Sequence, residues 1–208
     1  MPVLITAGAT RNPIDAVRYL SADSTGRTGI ALGEALGAVG IEPYLLGSAE
    51  ARLRAGGLPG EEYGSTHDLM ARMERWVRAN PAGGVLHASA VGDYEVAEPS
   101  DEKVPSGRPT WELVLVPTPR IADHVRAWGL TGPYVTFKAA APGTPEAEVE
   151  ALAKAQRKRT GSDLVFANVL GRLSKNILLV GEETRRFSTR TAAIAALGDW
   201  MASRLTPD

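Results

Sequence analysis

The sequence predicts an α/β fold in which helices cover both faces of a doubly wound, mostly parallel sheet, giving three layers. Short apolar runs rich in β-branched residues alternate with segments of helical periodicity, as in successive βαβ units. The length of 208 residues and the hydrophobic fraction of 44% are typical of one globular domain. We therefore expect a single domain over residues 1–208.

The N-terminal half begins with a short buried strand at 2–7, bounded by a glycine. Residues 28–40 predict a helix, because their apolar residues recur on one face and a glycine follows them. A second strand follows at 42–47. Residues 66–79 predict an amphipathic helix that an Asn-Pro pair ends.

The C-terminal half continues this alternation. A third strand at 83–94 runs into a glycine-containing loop. Further strands are predicted at 111–116, 134–139 and 163–168, helices at 119–129 and 145–161, a C-terminal β-hairpin at 176–181 and 185–187, and a last helix over 188–205.

The polar, proline-rich segment 95–110 separates the third strand from the next one. It is too long for a tight turn, and irregular loops of this length inside compact domains are usually functional or mobile. We expect this segment to be a lid over a binding site.

The composition excludes several classes of function. A net charge of −1 gives no general attraction to nucleic acid or to a membrane, so we expect neither as a partner. The absence of cysteine excludes disulfides, cysteine zinc sites and thiol nucleophiles. His67, His87 and His124 lack the spacing of metal ligands. No apolar run approaches the roughly 20 residues of a membrane helix, and the N-terminus does not resemble a signal peptide, so we expect the cytoplasm.

Ligands of doubly wound sheets bind beyond the carboxyl ends of the strands, so the segments after each strand are the candidates. The first candidate is an anion-binding loop made of Gly8, Ala9, Thr10 and Arg11 with Ser24, Thr25, Gly26 and Arg27. Glycines let backbone N–H groups approach a phosphate, and a helix N-terminus favours negative charge. Neither G-x-G-x-x-G nor a Walker A motif is present. Ordinary turn and helix-capping chemistry explains the same residues equally well.

Further candidates lie in the later loops and on one helix. Asp93 follows a strand, where its carboxylate suits a base amino group, a ribose hydroxyl, a metal or simple loop capping. Lys103 in the lid is placed to reach a polyphosphate or is a solvated surface lysine. Lys154 and Lys158 share a helix face and either bind phosphate or face solvent.

The order of these segments resembles one known family. The block “VLITAGATRNPIDAVRYLSADSTGRTGIALGEAL” precedes “ASAVGDY”, “EK”, “VPTPRI”, “VTFKAA” and “DLVFAN”. In this order they are similar to the phosphopantothenoylcysteine synthetase (phosphopantothenate–cysteine ligase) family, over nearly the whole chain. The flavin-dependent decarboxylase often fused ahead of that domain in bacteria has no counterpart in this sequence, so we infer neither FMN nor decarboxylation.

The resemblance implies a Rossmann-like fold, a homodimer and a Mg²⁺-dependent reaction with CTP in coenzyme A biosynthesis. A substrate carboxylate attacks the α-phosphate of CTP to give an acyl-cytidylate, and the amine of cysteine then displaces CMP. The partners implied are small molecules: the nucleotide, a phosphorylated carboxylate and cysteine.

The resemblance also assigns residues. The family's nucleotide contacts fall on His87, Ala88, Ser89, Asp93, Lys103, Pro119, Arg120, Ile121, Ala122, Phe137, Lys154 and Lys158. Catalytic roles fall on Lys103 and Arg27, and the loop of Gly8–Arg11 and Ser24–Gly26 would hold phosphate or the acyl-nucleotide. The metal ligands are not identified by it.

The sequence departs from the family pattern at five places around this site. The family usually reads “ISNxSSGKMG” in its opening block, and its asparagine, linked to converting the acyl-cytidylate to product, is Ala22 here. The usual lysine is Arg27, and the acidic residue of “PTPDI” is Arg120. The family's “AAET” is replaced at 139–142, and its “KIKK” keeps only the first lysine before 104–106.

These departures leave alternatives to a complete ligase. A divergent relative would bind a nucleotide or another phosphorylated ligand, with a changed substrate or without ligase activity. An NAD(P)-dependent oxidoreductase is a further alternative, which the missing G-x-G-x-x-G and Tyr-x-x-x-Lys patterns disfavour.

Overall fold

A computed structural model describes residues 1–171 and 177–205. Its elements, in chain order, are β1 (Val3–Ala7), β2 (Arg11–Pro13), β3 (Tyr19–Ser21), α1 (Arg27–Ala38), β4 (Pro43–Ser48), α2 (Ala49–Arg54), β5 (Gly60–Tyr63), α3 (Thr66–Ala79), β6 (Gly84–His87), β7 (Tyr94–Val96), β8 (Leu115–Pro117), a 3₁₀ helix (Ile121–Asp123), β9 (Tyr134–Ala140), α4 (Glu146–Thr160), β10 (Leu164–Val169), β11 (Ile177–Val180), β12 (Thr184–Phe187) and α5 (Arg190–Leu205).

The central sheet has eight strands in the order β12-β11-β10-β9-β6-β1-β4-β5. The six strands from β10 to β5 are parallel, and β11 and β12 form an antiparallel hairpin at the edge. From β1 the chain moves outward to β4 and β5, then returns to the other side of β1 at β6. This reversal makes the sheet doubly wound, and the predicted Rossmann-like fold class and hairpin are confirmed.

Side chains alternate between the two faces of the sheet, as the pleat of a strand requires. Ile5 of β1 packs on one face in a core that includes Leu36 of α1 and Leu197 of α5. Leu4 packs on the opposite face with Met73 of α3. The helix α4 covers the β9–β11 end of the sheet in a third cluster. The sheet is therefore buried between two helical layers.

Two predicted elements differ in the structure. The apolar run 111–116 is not a strand of the central sheet: only Leu115–Pro117 is extended, and it pairs with β7 in a separate two-stranded ribbon. The side chains of this ribbon strand are exposed. Residues 119–129 do not form the predicted α-helix. They form the 3₁₀ helix Ile121–Asp123 followed by turns, and most of their backbone hydrogen bonds join residues three apart instead of four. Gly129, at the end of this segment, has a φ of +102°.

Other elements were missed or were shorter than predicted. The β2–β3 hairpin, the six-residue α2 and β5 had no clear periodicity in the sequence. The third strand ends at His87 rather than at residue 94. The first residue of the predicted hairpin, 176, lies outside the described residues. Within the described part of the chain, none of the helices has the length and apolarity to cross a membrane.

Candidate functional site

A cavity of about 530 Å³ lies at the carboxyl end of β6 and along the second half of β9, near the switch in strand order. The 3₁₀ helix and α4 form its other walls. Eight of the twelve residues predicted to contact nucleotide line it: His87, Ser89, Asp93, Pro119, Arg120, Ile121, Ala122 and Phe137. These residues come from three separate segments, so the fold brings together positions that the sequence only suggested.

Four predicted nucleotide contacts do not line this cavity: Ala88, Lys103, Lys154 and Lys158. The lysines of α4 lie away from it because the helix presents Gln156 and Arg159 to the cavity. Lys154 instead forms an ion pair with Glu150 at 2.7 Å.

The predicted catalytic residues Lys103 and Arg27 are exposed, and both lie outside the cavity lining. Their catalytic roles stay predictions.

His87 is buried at the cavity wall and bound to the neighbouring strand. Its Nδ1 lies 2.9 Å from the hydroxyl of Thr6, which also accepts from the N–H of Ser89 at 3.0 Å. A buried hydroxyl needs an acceptor for its proton, and Nδ1 of His87 is in place to accept it. We therefore assign the imidazole proton to Nε2, which makes His87 a hydrogen-bond donor.

Ser89 is oriented by a second buried pair. The hydroxyl of Tyr63 lies 2.9 Å from the Ala7 carbonyl and 2.8 Å from the Ser89 hydroxyl. A carbonyl only accepts, so Tyr63 donates to Ala7 and Ser89 donates to Tyr63. The Ser89 oxygen then presents lone pairs to the cavity. The wall therefore offers a donor at His87 and an acceptor at Ser89, a pair that suits a polar base or a ribose.

Burial lowers the pKa of His87 to about 4, from 6.5 for an exposed histidine. Between these values the unfolded chain binds a proton that the folded chain does not bind. The free energy of unfolding therefore falls as the pH drops from about 6.5 to about 4, by up to about 3 kcal/mol from this residue. Urea denaturation of wild type and His87→Gln over this range measures the effect. We expect the variant to lose stability less steeply, and equal slopes would contradict the assignment.

The remaining cavity wall combines cations with an aromatic ring. Arg120, Lys138 and Arg159 line it, and Asp93 is the one carboxylate among its lining residues in the described chain. Phe137 stacks on a core phenylalanine with ring centroids 5.1 Å apart. This combination suits an anion that carries a flat ring.

Several of these lining residues were missed from the sequence. Lys138 directly follows the predicted contact Phe137 near the end of the same strand, so its position was an available signal. Gln156 gave no comparable signal, because the helical pattern of α4 does not tell which face meets the sheet, whereas Arg159 stands in the basic run next to Lys158.

In the first half of the predicted phosphate loop, Gly8 and Thr10 make contacts inside the protein. Thr10 is fully buried, and its hydroxyl accepts from the N–H of Gly92 at 2.9 Å and from the hydroxyl of Thr66 at 3.1 Å. A Cβ on Gly8 would lie 2.0 Å from Oγ of Ser48. These residues therefore serve close packing between β1, α2 and the β6–β7 loop.

Replacing Gly8 with alanine is expected to lower the free energy of unfolding by about 2–4 kcal/mol. Its φ of +89° disfavours any side chain, and the added Cβ would clash with Ser48. Gly37→Ala is the matched control, because no atom lies within 4 Å of a Cβ at that helical position. The control should be neutral or stabilising, and equal urea midpoints for the two variants would contradict the packing role.

The second half of the predicted loop keeps features of an anion site. Helix α1 begins at Arg27 after Gly26, which has a φ of +77° and gives no side-chain cap. The first-turn N–H groups thus remain for another acceptor, which an anion can supply. Ser24 and Thr25 are half-buried ahead of this turn, and Ala22 is exposed between β3 and the helix.

In residues 1–171 and 177–205 no cluster of three or more His, Cys, Asp or Glu side chains is placed to hold a metal. Mg²⁺ is commonly held by one or two carboxylates together with substrate phosphates and water. The described residues therefore form no all-protein metal site, and a Mg²⁺ ion would be held mainly by the nucleotide phosphates and water.

Known proteins match both the sequence and the fold. The model of the family described as DNA/pantothenate metabolism flavoprotein C-terminal domain matches residues 1–199. The coenzyme A biosynthesis bifunctional protein CoaBC of Thermococcus kodakarensis is 34% identical over 189 residues, which are 87% of this chain and 45% of that protein. The chain thus spans less than half the length of this curated relative.

Two solved structures share the fold. The DNA/pantothenate metabolism flavoprotein of Streptococcus pneumoniae superposes with a TM-score of 0.86 at 23% identity, covering 98% of this chain and 99% of that one. A Cab2 variant in complex with phosphopantothenate-cysteine gives 0.75 at 18% identity, covering 97% and 87%. The family model spans almost the whole chain and agrees with the resemblance seen in the sequence, so this protein belongs to the family of DNA/pantothenate metabolism flavoprotein C-terminal domains.

Proposed function

We propose that this protein is a CTP-dependent ligase of coenzyme A biosynthesis that activates the carboxylate of 4'-phosphopantothenate as an acyl-cytidylate and joins it to cysteine. The observation that supports this most is the cavity in which eight predicted nucleotide positions from three segments meet. Its cations suit phosphates, and its donor and acceptor pair at His87 and Ser89 suits a base or ribose.

The proposed reaction has two steps. A carboxylate oxygen of the substrate attacks the α-phosphorus of CTP, forming a P–O bond while pyrophosphate leaves. The amine of cysteine then attacks the acyl carbon, CMP leaves with the C–O bonding electrons, and an amide forms. Activation is needed because a free carboxylate is a poor acylating agent.

The chain's own residues act by binding and by offsetting charge. Arg120 and Lys138 offset the negative charge that builds on the phosphates, and Arg159, whose guanidinium is paired with Asp123, adds to them. Asp93 accepts from the ribose or the base. When bound with the nucleotide, Mg²⁺ further neutralises the phosphates. The uncapped start of α1 would hold a phosphate of the substrate or of the acyl-nucleotide.

A homodimer is part of this proposal. Trp111, Leu113, Val114, Leu115 and Val116 are exposed in one short stretch, with Val114 72% exposed. Exposed apolar side chains concentrated in one short segment are typical of an interaction site. A second copy of this chain, offering the same ribbon, would cover it and protect the strand edge.

A second candidate function is supported by Ala22 and Arg120. Both replace residues that the family pattern has at the site, and the first replaces the asparagine linked to the second step. In this version the protein binds the nucleotide and completes only the activation step, or acts on another phosphorylated carboxylate.

A thermal-shift panel of CTP, ATP, CMP, NADP⁺ and 4'-phosphopantothenate tests the proposal, since a ligand that binds only the folded state stabilises it by about 2.7 kcal/mol at a hundred times its Kd. Of these ligands, we expect CTP with Mg²⁺ to raise the midpoint of thermal unfolding most. Asp93→Asn should lose this shift, whereas Glu98→Gln, an exposed lid carboxylate, should keep it. A shift with NADP⁺ alone would contradict the proposal and favour an oxidoreductase.

A further inference from the structure

Two side chains of the β2–β3 loop hold the lid backbone next to Lys103. The N–H of Val104 donates to Oδ2 of Asp15 at 3.1 Å, across 89 residues of sequence. The carbonyl of Val104 accepts from Nη2 of Arg18 at 3.0 Å. The guanidinium of Arg18 also lies 4.8 Å from the ring centroid of Trp111, just after the lid. Both polar backbone groups of one lid residue are therefore bound by one short loop.

The carboxylate of Asp15 is buried. It accepts hydrogen bonds both from backbone N–H groups of its own loop and from one N–H group of the lid. Its Oδ1 accepts from the N–H groups of Val17 at 3.0 Å and Arg18 at 2.8 Å, a turn that Asp side chains commonly form. The bond from Val104 is additional to that turn. Burial raises the pKa of Asp15, but these three N–H donors and the charge of Arg18 outweigh burial and keep the pKa below its usual value. The bonds are therefore charge-assisted at neutral pH.

Lys103 lies between two attachments of the lid to this loop. The N–H of Ser100 donates to the carbonyl of Ile14 at 3.0 Å, and Val104 follows Lys103 directly. The lid extends from the β7–β8 ribbon, and the residue before β7 is Asp93 of the cavity wall. The backbone of Lys103 is therefore fixed relative to the cavity, while its exposed side chain has room to move.

We propose that Asp15 and Arg18 are positioning residues for Lys103: by holding Val104, they set the direction from which the lysine amine meets the nucleotide phosphates. This inference rests on the proposed function and on the nucleotide contact that the family resemblance assigns to Lys103 in the lid. Neither residue touches the ligand in this arrangement. Their effect on nucleotide binding passes through Lys103.

A double-mutant cycle on CTP affinity, measured by calorimetry, tests this dependence. Asp15→Asn should weaken CTP binding about tenfold in the wild-type background and have little further effect in a Lys103→Met background, because the two residues act as one unit. Asp101→Asn, an exposed carboxylate of the same lid, is the matched control and should leave the affinity unchanged. Equal losses in both backgrounds, or no loss in either, would overturn the proposal.

Tryptic cleavage tests the attachment without nucleotide. Within 95–110, Lys103–Val104 is the one bond that trypsin cuts, because Pro109 follows Arg108. Asp15→Asn should speed this cleavage about tenfold, since proteolysis follows the population of the locally open state. An unchanged rate would show that Asp15 does not hold the lid. Should the wild type bind no CTP, the proposed function fails, and the cleavage rate still decides whether the attachment exists.

Discussion

Replacing Ala22 with asparagine is expected to raise the rate of amide formation from the acyl-cytidylate about a hundredfold, the size of effect that a single well-placed donor has on a charged transition state. Alanine has no side-chain donor, whereas an asparagine amide has two N–H groups. Ala22 is exposed and lies between β3 and the start of α1, so the larger side chain fits without repacking the core. In the wild type we expect slow amide formation, so that the acyl-cytidylate accumulates before cysteine is joined.

Rapid-quench measurement of CMP and amide after adding cysteine provides the comparison. Ala22→Asp is the matched control, because its carboxylate has nearly the shape of the asparagine amide and offers no N–H donor at neutral pH. We expect it to behave as the wild type. Fast amide formation by the wild type, with little change in Ala22→Asn, would show that the second step does not depend on this position.

Replacing Phe166 with alanine is expected to lower the free energy of unfolding by about 3–5 kcal/mol. The ring is fully buried in the core that joins β1, α1 and α5. It stacks on Phe137, and the guanidinium of Arg190 lies 5.6 Å from its centroid. The substitution would leave a cavity behind the aromatic wall of the site, so CTP affinity should fall together with stability.

Urea denaturation of both Phe166→Ala and Phe166→Leu separates cavity formation from a general change in the core. The leucine keeps most of the volume, and such swaps usually cost less than about 1.5 kcal/mol. If alanine costs less than leucine, or if it costs under about 1 kcal/mol, then this ring does not support the core as the structure indicates.

The parts of the fold that were predictable are those in which burial imposes a pattern. Strands β1, β6 and β10 are buried on both faces, as is the first half of β9, and all four read as short apolar runs. The amphipathic helix α3 has Ser65 at its start, whose hydroxyl accepts from Asp68 N–H, so both its boundaries were readable.

The predictions that were wrong concern segments whose pattern of apolar residues does not match their surroundings in the fold. The run at 111–116 has the composition of a buried strand, but Val114 and Leu115 are exposed. The helix predicted at 119–129 contains no early glycine, yet Arg126 donates to the carbonyls of Leu130 and Gly132 and fixes a turn instead. Such long-range and turn contacts leave no periodic trace in a sequence.

The sequence predicted which loops form the site, but it did not predict which side chains in and around those loops contact one another. Asp93 was singled out because parallel strands place their carboxyl ends at one edge, whereas Ser89 was named only through the family resemblance. Lys154 and Lys158 of α4 were predicted to contact the nucleotide but do not line the cavity. Helical spacing shows which residues share a face, but it does not show where that face points. The role of Gly8 depends on Ser48, a contact between two β-α units that spacing does not reveal.

The central claim is that this protein activates a carboxylate with CTP, and the formation of the acyl-cytidylate tests it most directly. The protein is incubated with CTP, Mg²⁺ and 4'-phosphopantothenate without cysteine, while pyrophosphate is assayed and the nucleotide products are identified by mass spectrometry. We predict pyrophosphate release together with a species of the mass of 4'-phosphopantothenoyl-CMP, both lost in Asp93→Asn. CTP binding without pyrophosphate release, or release that does not depend on 4'-phosphopantothenate, would contradict the claim.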